Sequence, residues 1–241
     1  MRKVLGLITA RGGSTRVPGK NIKEFLGKPL LAWSIEIGKE SDVFDRFVLS
    51  TESEEIAAVG KAHGIDVPFM RPAEFATDTS GSLDAVRHAY EWLRDNDGFE
   101  ADSIILLEPP APGRRPFHIK EVAKLIERER VDSVLGITEL SSHYHPEKIL
   151  TMDDKKQMVR FAGGKKIRET IKRGQEYSTL YYPNASIYAF KPKNFYEPEP
   201  SLWGDRVFGY VMDPKYAFDI DTPEDWLTAE FKMQRLLNES K

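Results

Sequence analysis

The residues best suited to chemistry lie in the segment Ala10-Arg11-Gly12-Gly13-Ser14-Thr15-Arg16-Val17-Pro18-Gly19-Lys20-Asn21. Its glycines, Gly12 and Gly13 among them, let the backbone approach a ligand closely and turn N–H groups toward it. Arg11, Arg16 and Lys20 add fixed positive charge. N–H donors together with cations are what a polyphosphate requires. The segment is not a Walker A loop, because five residues separate Gly13 from Gly19 and Asn21 stands where that motif needs Ser or Thr. It is not the Gly-x-Gly-x-x-Gly dinucleotide fingerprint either. Composition alone equally allows a solvated basic turn, but its place directly after an apolar run favours phosphate binding.

A second candidate is Asp219-Ile220-Asp221-Thr222-Pro223-Glu224-Asp225-Trp226. Two carboxylates two residues apart in extended chain share one face. Such a pair is hard and anionic and suits Mg²⁺ shared with substrate phosphates. The same pair can instead do no more than shape the start of a helix. Thr222 then caps that helix, with Pro223 in its first turn and Asp225 at the third position, a variant of the capping box. A third stretch, Phe69 to Ser80, holds Arg71 and leads to Ser82. An Arg there can donate to a base carbonyl, and the bland alternative is a surface loop with a helix cap at Thr79 or Ser80.

These segments need a scaffold. Val4–Ala10, Arg46–Thr51, Ser103–Leu107 and Asp132–Thr138 read as buried strands. Pro29–Glu40, Glu52–His63, Ser82–Arg94 and Phe117–Arg128 read as helices between them. The alternation predicts an α/β fold with a mainly parallel, Rossmann-like sheet covered by helices on both faces. Ligands of such sheets bind outside the carboxyl ends of the strands. From Glu139 to Tyr182 the pattern breaks, and this stretch is too long for an ordinary loop. Residues 139–182 are therefore read as a small inserted arm, a dimerisation element, within one domain spanning 1–241. Asn184–Phe190 and Arg206–Met212 restore strands, and Pro223–Leu237 closes the chain as a helix.

Composition narrows the classes. The 241 residues carry a formal net charge of −3, so no global basic footprint points to nucleic acid. Without cysteine there is no disulfide framework, thiolate metal site or thiol nucleophile, which fits a cytoplasmic protein. The apolar run Val4–Ile8 is too short for a signal sequence, and no stretch approaches a membrane span.

The N-terminal loop follows Ala-Arg-x-x-Ser-x-x-x-Pro-x-Lys-Asn throughout and thereby resembles the cytidylyltransferases that activate nonulosonic acids, the CMP-N-acylneuraminate and CMP-legionaminate synthetases. The resemblance implies a nucleotidyltransferase fold, CTP and a sugar acid as substrates, Mg²⁺ as cofactor and a homodimer. It implies that Arg11 and Lys20 contact the triphosphate with Arg16 beside them, that Ser14 shapes the loop, and that Asn21 helps hold the base. It assigns pyrimidine reading to Arg71 and Ser82, and the metal to Asp219 and Asp221. Tyr182-Pro183-Asn184-Ala185-Ser186-Ile187-Tyr188 resembles the family's Arg-Pro-Asn-Gly-Ala-Ile-Tyr strand near the sugar, keeping Asn184 and replacing the Arg by Tyr182.

The likeness fails at one place. The family's Leu-Leu-Gln-Pro-Thr-Ser-Pro-Leu-Arg reads here Leu106-Leu107-Glu108-Pro109-Pro110-Ala111-Pro112-Gly113-Arg114. Glu108 replaces a Gln that meets the sugar, and a carboxylate cannot donate hydrogen bonds and repels an anion. Arg114 keeps the expected cation. The arm of relatives lends basic residues to the neighbouring subunit's sugar site, and Lys148 and Arg173 are the analogues here. His143 and His145 read as surface or subunit-contact residues. The reaction implied is attack of a sugar hydroxyl on the α-phosphorus of CTP with loss of pyrophosphate. The competing readings are transfer to 3-deoxy-manno-octulosonate or another sugar, and a nucleotide-binding regulator without catalysis.

Overall fold

The computed structural model describes residues 2–77, 81–162, 167 and 176–239. Its centre is a six-stranded sheet in the order β10-β6-β9-β5-β1-β4. The strands are β1 (Val4–Thr9), β4 (Arg46–Ser50), β5 (Ser103–Leu106), β6 (Ser133–Glu139), β9 (Tyr181–Phe190) and β10 (Val207–Val211). β1 pairs parallel with β4 and β5, and β10 parallel with β6. β9 runs antiparallel to both its neighbours. Among the described residues it is the one strand of this sheet that opposes both its neighbours, and it follows the excursion that leaves the sheet after β6.

Alternation along the strands feeds two cores. Val4, Ile8, Ile105, Leu107 and Ala189 face α1 (Leu30–Ser41), α2 (Glu54–Ala62) and α4 (Pro116–Ile126) through Ile35, Ile56 and Val122. Leu5, Leu7, Ile104, Leu106 and Phe190 face α3 (Ser82–Asp97) and the short turn Pro192–Tyr196 through Val86, Leu93 and Phe195. Strands buried on both faces must be apolar throughout, and β1 and β5 are. Gly6 within β1, and Thr9 and Ser103 at the strand ends, are the exceptions; at Gly6 a Cβ would stand 2.6 Å from both the Phe44 and Phe47 rings. A third cluster packs α5 (Pro223–Glu239) through Trp226, Ala229 and Met233 onto Phe25, Leu30 and Trp33. It ties the chain's end to the hairpin β2 (Glu24–Phe25) and β3 (Lys28–Pro29) that follows the N-terminal loop.

Several predicted boundaries move, and one matters for the site. α2 begins at Glu54, because the Ser53 hydroxyl accepts the Ile56 N–H and sets the helix start. Glu52 is thus outside the helix. β9 begins at Tyr181, ahead of the expected Asn184. The excursion leaves the sheet after Glu139 and contains a further hairpin, β7 (Leu150–Met152) and β8 (Met158–Arg160). The expected caps Thr79 and Ser80 lie outside the described residues; the N-cap of α3 is Gly81, with no side-chain bond.

Candidate functional site

A cleft of about 560 Å³ opens at the carboxyl ends of β1, β4 and β5. β1 lies between β4, which follows it in the chain, and β5, which comes later on its other side. This is the switch point where an open α/β sheet leaves room for a ligand. Arg11, Ser14, Arg16, Lys20 and Asn21 line one wall. Arg71, Phe75, Thr77, Ser82 and Ala85 line another, and Glu108, Pro110 and Asp221 the floor.

The loop is held from several sides. The Asn21 amide donates to the Arg11 carbonyl at 2.9 Å, and Arg11 Nη1 donates to the Thr77 carbonyl at 3.2 Å. Lys20 Nζ donates to the Ile220 carbonyl at 2.7 Å and to Asp221 Oδ1 at 3.2 Å. Arg16 stands 3.6 Å from the other Asp221 oxygen. Cations from the start of the chain thus meet a carboxylate from its end. Gly12 departs from expectation. Its N–H does not wait for a ligand but donates to Glu52 Oε1 at 2.6 Å. Neither Gly12 nor Gly13 lines the cleft.

Asp221 is fixed by the turn that follows it. Asp225 Oδ2 accepts from the N–H groups of Asp221 and Thr222 at 3.1 and 2.8 Å, and the Thr222 hydroxyl accepts the Asp225 N–H at 3.2 Å. This is the reciprocal cap read from the sequence. Burial, then the charge of Asp221, pushes the Asp219 carboxyl up. Burial, then Asp219, pushes Glu108 up to about 7. Burial thus favours the protonated form of both carboxyls, while Lys20 and Arg16 face the exposed Asp221. Two carboxylates that share the cation with substrate phosphates match Mg²⁺, which keeps few protein ligands; the Asp219–Asp221 pair fits it in donor type, although the two side chains line different cavities rather than the single face expected of them. Among the described residues no group of three or more His, Asp or Glu side chains is placed to hold a metal on its own.

Of the expected sugar contacts, Glu108 lines this cleft, while Arg114, Asn184 and Lys148 lie elsewhere. Arg114 is 0% exposed and lies beneath the floor. Its Nε donates to the Ala111 carbonyl at 3.0 Å, and Nη2 donates to Ser34 Oγ at 3.3 Å and to the Glu108 carbonyl. It shapes the loop after β5, and a ligand in the cleft cannot reach it. Asn184 is buried where β6 and β9 slip register. Its amide donates to Thr138 Oγ1 at 3.0 Å, and its carbonyl accepts the Ser186 N–H at 3.1 Å. It borders a separate cavity of about 370 Å³, which Asp219 also lines together with Tyr182, Phe218 and Lys232. Asp219 and Asp221 thus open onto different cavities. Lys148 sits on the excursion, 4.7 Å over the Tyr177 ring, and lines neither cavity. His145 Nδ1 accepts the Glu147 N–H at 3.2 Å, a local turn contact. Arg173 lies outside the described residues.

Glu52 is the functional side chain that sequence reasoning missed. It follows β4 at the carboxyl edge of the sheet, and that position was the available signal.

The family model described as "Cytidylyltransferase" matches residues 5–198. An N-acylneuraminate cytidylyltransferase of Streptococcus agalactiae serotype III is 32% identical over 93% of this chain and 52% of its own length. The chain spans about half the length of the curated relatives of that kind. A CMP-N,N'-diacetyllegionaminic acid synthase of Legionella pneumophila is 30% identical over 96% of this chain and 97% of its own. Among solved structures, a CMP:2-keto-3-deoxy-manno-octonic acid synthetase complexed with CTP superposes with a TM-score of 0.70. It is 17% identical, over 97% of this chain and 99% of that one, and so bears on the fold alone. A sheet of this order, a cationic loop after its first strand and a family model matched over most of its length place the chain in the cytidylyltransferase family.

Proposed function

We propose that the chain transfers CMP from CTP to a nonulosonic acid and releases pyrophosphate. The observation that carries this reading is one cleft in which Arg11, Arg16 and Lys20 face Asp221 and Glu108 at the carboxyl ends of three parallel strands. The names of the relatives point to the same substrates. The acceptor's anomeric hydroxyl gives up its proton to solvent as its oxygen forms a bond to the α-phosphorus, and the bond from that phosphorus to the bridging oxygen breaks, its electron pair leaving with pyrophosphate. Such a transfer asks a protein for in-line placement and charge neutralisation more than for covalent help. Arg11, Arg16 and Lys20 hold the β- and γ-phosphates, and Arg71 and Ser82 face the base. Asp219 and Asp221 are the residues that would hold Mg²⁺, which supplies charge neutralisation at the α-phosphate when bound. Lys20 then bridges the two halves of the site through its contact with Asp221.

The same reading makes the protein a homodimer, because Lys148 lines neither cavity of its own chain and would serve a sugar by crossing to a neighbouring cleft. The exposed Tyr144, Met152 and Phe161 on the excursion are apolar surface that a second copy would cover. It also sets the reaction in the cytoplasm, where nucleoside triphosphates are made.

The test is pyrophosphate release with Mg²⁺, pairing CTP with a panel of nonulosonic acids and 3-deoxy-manno-octulosonate, and each sugar with the other nucleoside triphosphates. Release with CTP and one nonulosonic acid is the expected result. Release only with 3-deoxy-manno-octulosonate, or only with another nucleotide, overturns the substrate assignment. CTP binding without release from any sugar points to a regulator.

A further inference from the structure

Glu52 lines neither of these two cavities, yet its two carboxylate oxygens serve the two segments that flank the cleft. Oε1 accepts the Gly12 N–H at 2.6 Å, inside the phosphate-binding loop. Oε2 accepts from Arg71 Nη2 at 2.7 Å, on the opposite wall. Arg71 is itself anchored by its backbone N–H, which donates to the Thr51 carbonyl at 2.8 Å. Its side chain is only 5% exposed, and its Nε is buried with no partner among the described residues. The orientation of its guanidinium plane therefore hangs on Glu52. The loop approaches Glu52 closely: a Cβ on Gly12 would come within 3.4 Å of Ser53 Cβ and 3.5 Å of Glu52 Oε1. Burial would push the Glu52 carboxyl up, but Arg71 and the Gly12 N–H hold it below its usual range, so it stays ionised. Both bonds involve this charge and are of the stronger kind.

We infer that Glu52 is a positioning residue that locks the phosphate-binding loop and Arg71 into one unit, so that triphosphate and base are read at a fixed separation. The inference rests on the proposed function for what the unit reads, while the bridge stands on geometry alone. Ser53 is essential to it, because capping α2 one residue later keeps Glu52 out of the helix and turned to the loop.

The test uses Glu52→Gln and Glu52→Ala beside Arg71→Ala and the Glu52→Ala/Arg71→Ala pair. An amide can accept from one partner but meets the other with a donor, so Glu52→Gln loses one arm of the bridge and Glu52→Ala both. The expected result is a roughly tenfold or larger rise in the CTP KM, the size that follows from losing a hydrogen bond to a charged group, with kcat changed less than about threefold. Preference for CTP over UTP should fall in Glu52→Ala, and should fall no further when Glu52→Ala is added to Arg71→Ala. A parallel loss of kcat with unchanged nucleotide preference, or additive effects in the pair, overturns the proposal. A readout independent of turnover is amide hydrogen exchange at Gly12. The wild type should protect it and Glu52→Ala should expose it, with the exchange of β1 and β5 unchanged; equal protection in both overturns the bridge. If the wild type binds none of the four nucleoside triphosphates, the functional reading fails, and the Gly12 exchange still decides on Glu52.

Discussion

Removing Asp225 tests how far the site depends on a helix cap. Its Oδ2 accepts three hydrogen bonds, from the Asp221 N–H at 3.1 Å, the Thr222 N–H at 2.8 Å and the Thr222 hydroxyl at 2.9 Å. Asp225→Ala removes all three and a negative charge from the first turn of α5. Capping losses are typically ~1 kcal/mol, up to about 2, and an acidic side chain at a helix N-terminus adds ~0.3–1 kcal/mol. Because the carboxylate is partly exposed, water recovers some of this, leaving about 1–2 kcal/mol. In a chain of this size that lowers Tm by roughly 3–6 °C. The sign with pH follows from the carboxyl itself. The Thr222 hydroxyl first, then the Thr222 and Asp221 N–H groups, hold it below the usual carboxylate range. Its contribution is therefore present above the unfolded pKa of about 3.9 and is lost as pH falls through the lower folded value. Urea unfolding of wild type and Asp225→Ala from pH 7 to 3.5 should show a gap that is full at pH 7 and begins to narrow near pH 4. A gap that is absent, or that widens on acidification, refutes the reasoning. The same variant frees the Asp221 backbone, so its affinity for CTP with Mg²⁺ should fall with the cap.

Asp132 fastens the outer strand β10 to the start of β6. Its buried carboxylate accepts from Arg206 Nε and Nη2 at 2.9 and 2.8 Å and pairs with Lys193 at 2.7 Å. Asp132→Asn should cost about 2–3 kcal/mol, since the cations can return to water but the two-pronged Arg contact is lost; urea midpoints check this, and a change under 0.5 kcal/mol counts against it. Arg114→Met should destabilise by ~3 kcal/mol or more, because the carbonyls of Ala111 and Glu108 lose a fully buried donor. If instead it keeps the wild-type melting profile and raises only the sugar KM, Arg114 contacts substrate after all.

The elements were legible wherever one physical signal dominated. β1 and β5 are apolar on both faces because helices cover both sides. The Thr222–Asp225 cap follows from side chains that can satisfy only their own turn. The direction of β9 was not legible, since a strand's periodicity carries no sign of whether its neighbours run with it or against it. Nor was the role of Gly12 as a donor to protein: a glycine-rich loop advertises free N–H groups, and nothing local says that a carboxylate from after β4 will take one.

Glu108 and Arg114 show why the acceptor side resists such reading. Both sit on the turn after β5, six residues apart, and both were assigned to the sugar by likeness. In the fold, Glu108 lines the cleft while Arg114 turns beneath it and binds the Glu108 carbonyl. A cation in a binding motif and a cation that builds the motif's backbone have the same sequence signature; only burial separates them. With Arg114 spent on the loop, the cations that share the cleft with Glu108 are Arg11, Arg16, Lys20 and Arg71. An anionic ligand beside Glu108 would then be met by these cations and not by the one on Glu108's own turn.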